Sequence, residues 1–268
     1  MKIALAFYGI PRSTTICFPS IQENILNSLP ENAEVEFFYH LYEQSKVVNK
    51  RSGENGALSP QEYHPFLSFN GGLEKPGECL EKWDFEGVKS FGDVWKDDFN
   101  SLSNLIHQLN SLHEVTLLIE GYKPDVTIFL RPDLFYHDPL PKEIFSMLLN
   151  DKTSVFIPAW QWWGGYNDRF AVCGADSYKV YGKRICEMVN FCESAKKPLH
   201  AEELVKFVIT SHKILPLPLN VRASRVRLDG TFKKEIFSSF RGMGGIKGVL
   251  ELSSSKIKLM KINRKLIV

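Results

Sequence analysis

Several features that mark common protein classes are missing from this 268-residue sequence. No apolar run approaches the roughly 20 residues that a membrane-spanning helix requires, so the sequence predicts no such helix. The apolar residues 3–7 that follow Lys2 are too few for the core of a secretory signal and are typical of a first strand. We therefore expect a cytoplasmic protein.

Cysteine is sparse, and its spacing is irregular. The five cysteines are an odd number without CxxC spacing, which argues for reduced thiols and against a disulfide framework or a zinc site. The seven histidines form neither HxH nor HExxH, and the chain has no Walker loop and no Ser-His-Asp order. The classes of enzyme that these motifs define are excluded.

Positive charge is concentrated towards the C-terminal end. From Arg222 onward, 12 Lys and Arg stand against 3 Asp and Glu, although the net charge of the whole chain is only +2. This asymmetry indicates an anionic partner such as phosphate groups, a membrane surface or a nucleic acid. Residues 256–265 mix basic and apolar side chains, so one interpretation is a tail that contacts the inner face of a membrane. A disordered or docked C-terminus is the other interpretation.

Strand and helix patterns alternate from the first residue, which is typical of an α/β protein with an open, mostly parallel sheet flanked by helices. Apolar, β-prone segments predict strands at 2–8, 35–39, 126–130, 154–158 and 171–174. Helical spacing of apolar residues predicts helices at 19–29, 101–120, 176–192 and 202–211. The polar, Gly-rich residues 43–100 predict a long irregular connection over one edge of the sheet.

A charged turn interrupts the central strand. The apolar residues 126–130 run into Arg131-Pro132-Asp133, and a second apolar stretch follows at 134–136. Such a turn lies at the carboxyl edge of an open α/β sheet, where ligands bind. Asp133 is a candidate ligand for Mg²⁺ or Mn²⁺ on phosphate oxygens, and Arg131 is a candidate fixed charge for phosphate. A structural Arg–Asp pair is the alternative.

An aromatic and polar segment follows the strand predicted at 154–158. Residues 159–170 contain three tryptophans, a tyrosine, a double glycine and Asn167-Asp168-Arg169. Flat aromatic faces stack on sugar rings, and the polar side chains hydrogen-bond hydroxyls, so we interpret the segment as the wall of a saccharide or nucleotide site. The alternative is a turn around a buried aromatic cluster.

Acidic and basic residues elsewhere add candidates. Glu202 and Glu203 open a predicted helix, where the macrodipole favours acids, and one of them is a candidate general base or acceptor contact. Arg222, Arg225 and Arg227 follow an extended segment and are candidates for a diphosphate or for an exposed strand face.

The loop at residues 9–15, Gly-Ile-Pro-Arg-Ser-Thr-Thr, lies where a helix start favours phosphate. It resembles the phosphosulfate loop of sulfotransferases, Pro-Arg-Ser-Gly-Thr-Thr, but lacks the glycine that permits close backbone approach. A sulfotransferase that uses this loop is therefore a second functional hypothesis. In either case Arg12 is predicted to face the nucleotide.

Three segments carry a resemblance to a known family. They are Ala-Phe-Tyr-Gly-Ile-Pro-Arg at the start with Phe-Phe-Tyr-His at 37–40, Ile-Phe-Leu-Arg-Pro-Asp-Leu at 128–134, and Gly-Tyr-Asn-Asp-Arg-Phe-Ala-Val-Cys-Gly at 165–174. In these segments the chain resembles bacterial glycosyltransferases of the GT-A kind, in the set associated with capsule and lipopolysaccharide assembly. Glu202 falls where such sequences often carry an acid in a helix-opening His-x-Glu.

The resemblance implies a Rossmann-like GT-A domain over residues 1–230, with residues 231–268 as a basic C-terminal extension. It implies transfer of a sugar from a nucleoside-diphosphate donor to a hydroxyl of a glycan or lipid-linked acceptor, without a nucleic-acid partner. The implied donor contacts are Tyr8, Gly9, Arg12, Arg131 and Asp133. The implied acceptor contacts are Trp162, Trp163, Tyr166 and Asn167, and the implied catalytic residues are Asp168 and Glu202.

One departure from the family concerns the metal. GT-A enzymes typically carry Asp-x-Asp where this chain has Arg131-Pro132-Asp133. Because the first aspartate is replaced, Mn²⁺ or Mg²⁺ dependence stays open, and a guanidinium group can stand in for the cation. A non-catalytic glycan-binding protein that uses the 160–166 aromatics is the third functional hypothesis.

Overall fold

Seven strands form one central sheet in the computed structural model of the chain, which describes residues 1–238 and 241–266. Over these residues the strands are β1 (Lys2–Gly9), β2 (Glu34–Tyr42), β3 (Lys46–Asn49), β4 (Glu54–Ala57), β5 (Asn70–Glu74), β6 (Val126–Leu130), β7 (Leu134–Tyr136), β8 (Ser154–Pro158), β9 (Ala171–Gly174), β10 (Leu215–Leu219) and β11 (Ala223–Arg225). The order across the sheet is β10-β8-β9-β6-β1-β2-β5. Strand β9 is antiparallel to β6 and β8, and the other adjacent pairs are parallel. The prediction of an open, mostly parallel sheet is confirmed.

Helices flank this sheet, as predicted. The α-helices are α1 (Thr14–Asn24), α2 (Glu78–Lys82), α3 (Phe85–Lys89), α4 (Asn100–Glu120), α5 (Glu143–Asn150), α6 (Ser177–Gly182), α7 (Met188–Ala195), α8 (Ala201–Ser211) and α9 (Ile246–Leu266). Single turns of 3₁₀-helix lie at Leu26–Ser28, Arg184–Glu187 and Arg241–Met243, and a longer one lies at Pro60–Phe66.

Side-chain alternation along β1 divides the core into two layers. Ile3 and Leu5 pack into a cluster with apolar residues of α1 and α5, whereas Ala4 and Ala6 pack into a second cluster with α4 and α8. Successive side chains of a strand point to opposite faces of the sheet. A strand that is covered on both faces reads as a continuous apolar run, which explains why β1 was recognisable in the sequence.

The strand order reverses beside β1. The chain moves from β1 to β2 and β5 on one side, and β6 lies on the other side. Phe7 of β1 is level with Leu130 of β6, so Gly9 and Arg131 follow at the same edge of the sheet. Ligands of open α/β sheets bind in the crevice at such a reversal, outside the carboxyl ends of the strands.

Residues 43–100, predicted as one irregular connection, contain regular elements. Strands β3 and β4 form a hairpin, and β5 joins the central sheet as its edge strand beside β2. The sequence of β5, Asn-Gly-Gly-Leu-Glu, lacks the apolar alternation that predicts a strand. A Cβ atom at Gly71 would lie 1.9 Å from the Tyr39 carbonyl oxygen, which explains a glycine at this position.

Helix α9 packs beside the opposite edge strand, β10. Leu259 and Ile262 pack on the first cluster, and Val249 and Leu252 pack on the second. The segment predicted as a basic extension is thus docked on the sheet over its described residues, and a domain boundary at residue 230 stays a prediction. Among the helices that the structure describes, none combines the length and hydrophobicity needed to cross a membrane.

Candidate active site

A cleft of about 860 Å³ opens at the carboxyl ends of β1 and β6. Its walls come from the β3–β4 hairpin, α4, residues 163–169, the start of α8 and residues 225–233. The predicted site residues that line it are Gly9, Arg12, Arg131, Trp163, Asp168 and Glu202. The predicted residues that lie outside its lining are Tyr8, Asp133, Trp162, Tyr166 and Asn167. The fold therefore brings together both predicted catalytic residues and three of the predicted donor contacts.

Asp133 lies beneath the cleft and is only 1% exposed. Its Oδ2 accepts hydrogen bonds from Arg12 Nη2 at 2.7 Å and Arg131 Nη2 at 3.1 Å, and its Oδ1 accepts one from Arg131 Nε at 3.0 Å. Burial alone would raise the pKa of Asp133, but Arg131 and Arg12 hold it well below its usual range. The carboxylate therefore holds two guanidinium groups in place at the cleft floor.

These contacts do not fit the predicted metal-binding role of Asp133. Both oxygens already accept charge-assisted hydrogen bonds, and a divalent cation there would approach two guanidinium groups of like charge. In the described ranges, no group of three or more His, Cys, Asp and Glu side chains could hold a metal ion. The groups in the cleft that suit a phosphate are therefore its cationic side chains.

Further cations line the wall next to Arg131. They are Arg169, Arg225, Arg227 and Lys233. Arg169 Nη1 donates to Glu235 at 3.1 Å, and Arg227 Nη1 donates to Glu54 at 2.6 Å. The sequence predicted Arg225 and Arg227 as candidates for a diphosphate, because they follow an extended segment at near-alternating positions. No sequence signal linked Lys233 to the donor site, because its proximity arises from chain folding and not from local pattern.

Asp168 and Glu202 face the cleft as interacting carboxyl groups. Gln108 Nε2 donates to Asp168 Oδ2 at 3.0 Å, and Arg169 Nε lies 3.8 Å from Asp168 Oδ1. Burial would raise the pKa of Asp168, but the charges of Arg169 and Arg131 lower it. Burial and the Asp168 carboxylate raise the pKa of Glu202 to about 8. At neutral pH one group is ionised and the other is protonated, a division typical of acid–base pairs.

The backbone of residues 159–170 positions Glu202. Tyr166 N donates to the Glu202 carbonyl oxygen at 2.8 Å, and a Cβ atom at Gly165 would lie 1.9 Å from that oxygen. A residue larger than glycine at 165 would push the start of α8 away from the loop that carries Asp168. The Gly-Gly pair seen in the sequence thus serves close backbone approach at its second member.

Four predicted ligand contacts instead hold the walls of the cleft. All four are buried: Tyr8, Trp162, Tyr166 and Asn167. Tyr8 donates to the Asp168 carbonyl oxygen, and Trp162 donates to that of Pro158. Tyr166 donates to the Glu251 carboxylate, and Asn167 donates to the Trp160 carbonyl oxygen. Their side chains do not reach the lining, so this geometry does not support direct contact with a donor or an acceptor. The alternative of a buried aromatic cluster describes most of this segment.

Trp163 differs from its neighbours. It has a φ of 48°, is 38% exposed and lines the cleft. Two aromatic residues that the sequence did not indicate also line the cleft: the rings of Trp95 and His200 stack at 6.1 Å with an interplanar angle of 18°. Trp95 lies in the connection 43–100, for which the sequence pattern predicted no site residue.

The loop between β1 and α1 shows where a phosphosulfate would have to bind. The backbone N and the side-chain Oγ1 of Thr15 each donate to the Glu62 carboxylate at 2.9 Å. Ser13 Oγ donates to the Arg227 carbonyl oxygen at 2.6 Å, and Ser13 is not among the residues that line the cleft. Since a carboxylate already occupies this helix start, the loop gives little support to the sulfotransferase hypothesis.

Comparison with known proteins yields structural likenesses but no family. No protein-family model matches the chain, and a search of curated proteins finds no match. The crystal structure of mouse xyloside xylosyltransferase 1 in its apo form aligns with a TM-score of 0.44 at 11% sequence identity. The alignment covers 82% of this chain and 85% of that one. A score this low does not establish a family.

Proposed function

We propose that the protein is a glycosyltransferase that moves a sugar from a nucleoside-diphosphate donor to a hydroxyl group of a glycan or lipid-linked acceptor. One observation carries this proposal: a single cleft at the reversal of strand order holds a cluster of arginines beside an ionised and a protonated carboxyl group. The arginines suit a diphosphate, and the carboxyl pair suits proton transfer from an acceptor hydroxyl. The resemblance in three sequence segments agrees with it.

In this mechanism Glu202 acts as the general base in its ionised form, whose share increases as the pH rises through about 8. The acceptor oxygen attacks the anomeric carbon of the donor as its proton passes to the Glu202 carboxylate. The bond between the anomeric carbon and the phosphate oxygen breaks, and its electron pair leaves with the nucleoside diphosphate. A pKa of about 8 makes Glu202 a stronger base than an ordinary carboxylate, and burial together with the charge of Asp168 maintains that value.

The donor is proposed to bind at the floor of the cleft. Gly9, Arg12 and Arg131 line it, and Asp133 fixes both guanidinium groups from below. Gly9 has a φ of 102°, a conformation that other residues rarely adopt, and no atom lies within 4 Å of a Cβ placed there, so a ligand can approach the backbone. A divalent cation, where a donor brings one, would supply charge to the diphosphate; no step here depends on it.

The acceptor is proposed to bind on the opposite wall. Trp163 is exposed there, and Trp95 and His200 present a stacked pair next to Glu202. Aromatic faces of this kind suit sugar rings. A surface-glycan acceptor of capsule or lipopolysaccharide assembly follows from the sequence resemblance and belongs to this proposal. A cytoplasmic location also belongs to it, and is inferred from the cysteine pattern and the short apolar segment at residues 3–7.

We also propose that α9 brings the enzyme to an anionic membrane, where a lipid-linked acceptor would be found. Its exposed apolar residues follow helical spacing and are Ile246, Leu250, Ile257 and Met260. Exposed lysines accompany them at Lys247, Lys256, Lys258 and Lys261. An apolar stripe with flanking cations is typical of helices that lie in the membrane interface.

A nucleotide panel tests the function. Uridine or guanosine diphosphate should raise the melting temperature of the full chain, whereas adenosine 3′,5′-bisphosphate should not. Glu202→Gln should keep nucleotide binding and lose transfer to a glycan acceptor. Glu203→Gln is the matched control, because Glu203 begins the same helix but pairs with Lys197. Stabilisation by the bisphosphate alone would favour the sulfotransferase, and binding of glycan without any nucleotide would favour a non-catalytic protein.

A further inference from the structure

The cations of the cleft differ in whether a carboxylate neutralises them. Arg12 pairs with Glu54 and Asp133, and Arg131 pairs with Asp133. On the next wall Arg169 pairs with Glu235 at 3.1 Å and with Asp168 at 3.8 Å, and Arg227 pairs with Glu54 at 2.6 Å. Lys233 has a longer pair with Glu235, at 3.8 Å. Arg225 makes no ion pair with a carboxylate of the described chain, and its Nε has no hydrogen-bond partner there.

A tight turn places Lys233 beside Arg225. Lys233 N donates to the Arg225 carbonyl oxygen at 2.8 Å, and Val226 bridges Phe232 in antiparallel fashion one residue further on. The turn is anchored to the cleft floor, because Val226 N donates to the Asp133 carbonyl oxygen at 2.9 Å. Arg225, at the end of β11, and Lys233, just after the Phe232 bridge, therefore lie side by side near the Arg131–Asp133 pair, and both line the cleft.

Their surroundings disfavour two positive charges without an anion. Burial and the guanidinium groups of Arg169 and Arg131 lower the pKa of Arg225 and outweigh the opposite effect of the Asp133 carboxylate, yet a guanidinium stays protonated in proteins. Burial, Arg169 and Arg225 lower the pKa of Lys233 to about 8. The nearest carboxylate oxygen to Lys233 Nζ, that of Glu235, is 3.8 Å away, and Glu235 also accepts from Arg169. A bound anion would relieve this repulsion.

We propose that Arg225 and Lys233 form the subsite for the diphosphate of the donor and hold it without a divalent cation. This inference rests on the proposed glycosyl transfer. It assigns stabilisation of the leaving group to Arg225, which the sequence left open between a diphosphate contact and an exposed strand face, and to Lys233, which no sequence signal indicated. When the glycosidic bond breaks, the departing diphosphate gains negative charge, and fixed cations stabilise charge that develops in the transition state. The guanidinium offers a fork to two phosphate oxygens, and the ammonium offers a compact point charge.

Calorimetric titration of the full chain with uridine and guanosine diphosphate tests the subsite. We expect binding in the presence of EDTA, with a loss of at least tenfold in affinity for Arg225→Ala and for Lys233→Ala. Arg225→Lys guards against a folding defect and should lose less affinity than Arg225→Ala. Lys234→Ala is the matched control, because Lys234 is exposed, lies outside the cleft lining and should bind as the wild type does.

The pH dependence adds a readout that a structural role would not change. Lys233 faces Arg169, Arg225, Arg227 and Glu235, and Glu202 titrates across the cleft. The titrations are therefore made in the Glu202→Gln background. An anion favours the protonated lysine, so affinity should fall about tenfold from pH 7 to pH 9, and Lys233→Arg should abolish this fall.

The outcomes separate this inference from the function. Binding that requires Mn²⁺ and survives both alanine substitutions would overturn the subsite and leave glycosyl transfer standing. If nucleotide binding requires Mn²⁺ in the wild type but no longer depends on Mn²⁺ in Asp168→Asn, the cation binds at the Asp168–Glu202 pair. That result would also overturn the proposed subsite. The absence of binding to both nucleotides, with and without Mn²⁺, would overturn the proposed function and this inference with it.

Discussion

At the scale of single residues, the protonation of Glu202 links stability to activity. Its pKa of about 8 lies far above the ordinary value near 4.3 for glutamate. A raised folded-state pKa stabilises the fold fully below the unfolded value, and this contribution is lost as the pH rises through about 8. The catalytic carboxylate therefore forms at the expense of stability.

Glu202→Gln should accordingly gain stability over the wild type as the pH rises. We expect similar melting temperatures at pH 5 and a higher one for the variant at pH 9, since the amide cannot ionise. Loss of a general base should lower kcat by about 10²–10⁴-fold. Thermal unfolding at pH 5, 7 and 9 measures the first effect. A variant that is less stable than the wild type at pH 9 would contradict the buried, raised pKa.

After burial, the charge of Asp168 is the largest cause of the raised pKa at which Glu202 becomes a base. Asp168→Asn removes the neighbouring charge, so the pKa of Glu202 should fall. The acidic limb of the kcat/KM profile should then move to lower pH, which a rate series from pH 5 to pH 10 measures. A limb that stays in place would show that Asp168 does not set this pKa.

Asp133 should matter for folding before it matters for chemistry. Asp133→Asn leaves two buried guanidinium groups without their shared carboxylate, and removing one partner of a buried ion pair costs about 3–5 kcal/mol. Asp138→Asn is the matched control, because its pair with Arg222 is exposed and such pairs contribute about 0–1 kcal/mol. Urea denaturation measures both changes. Equal losses for the two variants would contradict the central role given to Asp133.

At the scale of elements, the contact between residues 159–170 and α8 determines the geometry of the carboxyl pair. Gly165→Ala brings a methyl group against the Glu202 backbone, and overpacking of this kind costs about 1–3 kcal/mol. Because the start of α8 must move, kcat should fall as well. Gly121→Ala is the control: it has open space around its Cβ position and helical backbone angles, so both its stability and its kcat should stay near wild type. Unfolding curves and initial rates give the comparison.

The elements that sequence patterns predicted best are strands buried along their whole length and a helix whose buried residues recur at helical spacing. Strands β6, β8 and β9 have the predicted bounds because each is fully buried, and α4 differs by one residue from its predicted start. Strand β5 was missed because an edge strand made of Asn, Gly and Glu has no apolar signal. Helix α1 begins at Thr14 and contains Pro19, which the pattern had taken as its start.

At the scale of the whole molecule, the cleft combines segments that are far apart in the chain. Gly9, Arg131 and Glu202 were found from the sequence because each adjoins a strand end or a helix start, and their roles stay predictions. Lys233 and Trp95 were not found, since only the tertiary arrangement brings them to the same cleft. Local patterns therefore identify the edge of the sheet where a site lies, but not every chain segment that completes it.

The exposed side of α9 predicts how the whole enzyme meets its acceptor. Each lysine near an anionic surface contributes about 1 kcal/mol, and the apolar stripe adds burial in the interface. The protein should sediment with vesicles that contain phosphatidylglycerol, bind less at high salt, and not sediment with phosphatidylcholine alone.

Leu250→Glu with Ile257→Glu should abolish sedimentation, whereas Leu67→Glu, at an equally exposed leucine elsewhere, should not. Both variants should transfer sugar to a soluble acceptor at the wild-type rate, because none of the three substituted residues lines the cleft. Sedimentation that persists after the double substitution would place the membrane contact on another face of the molecule.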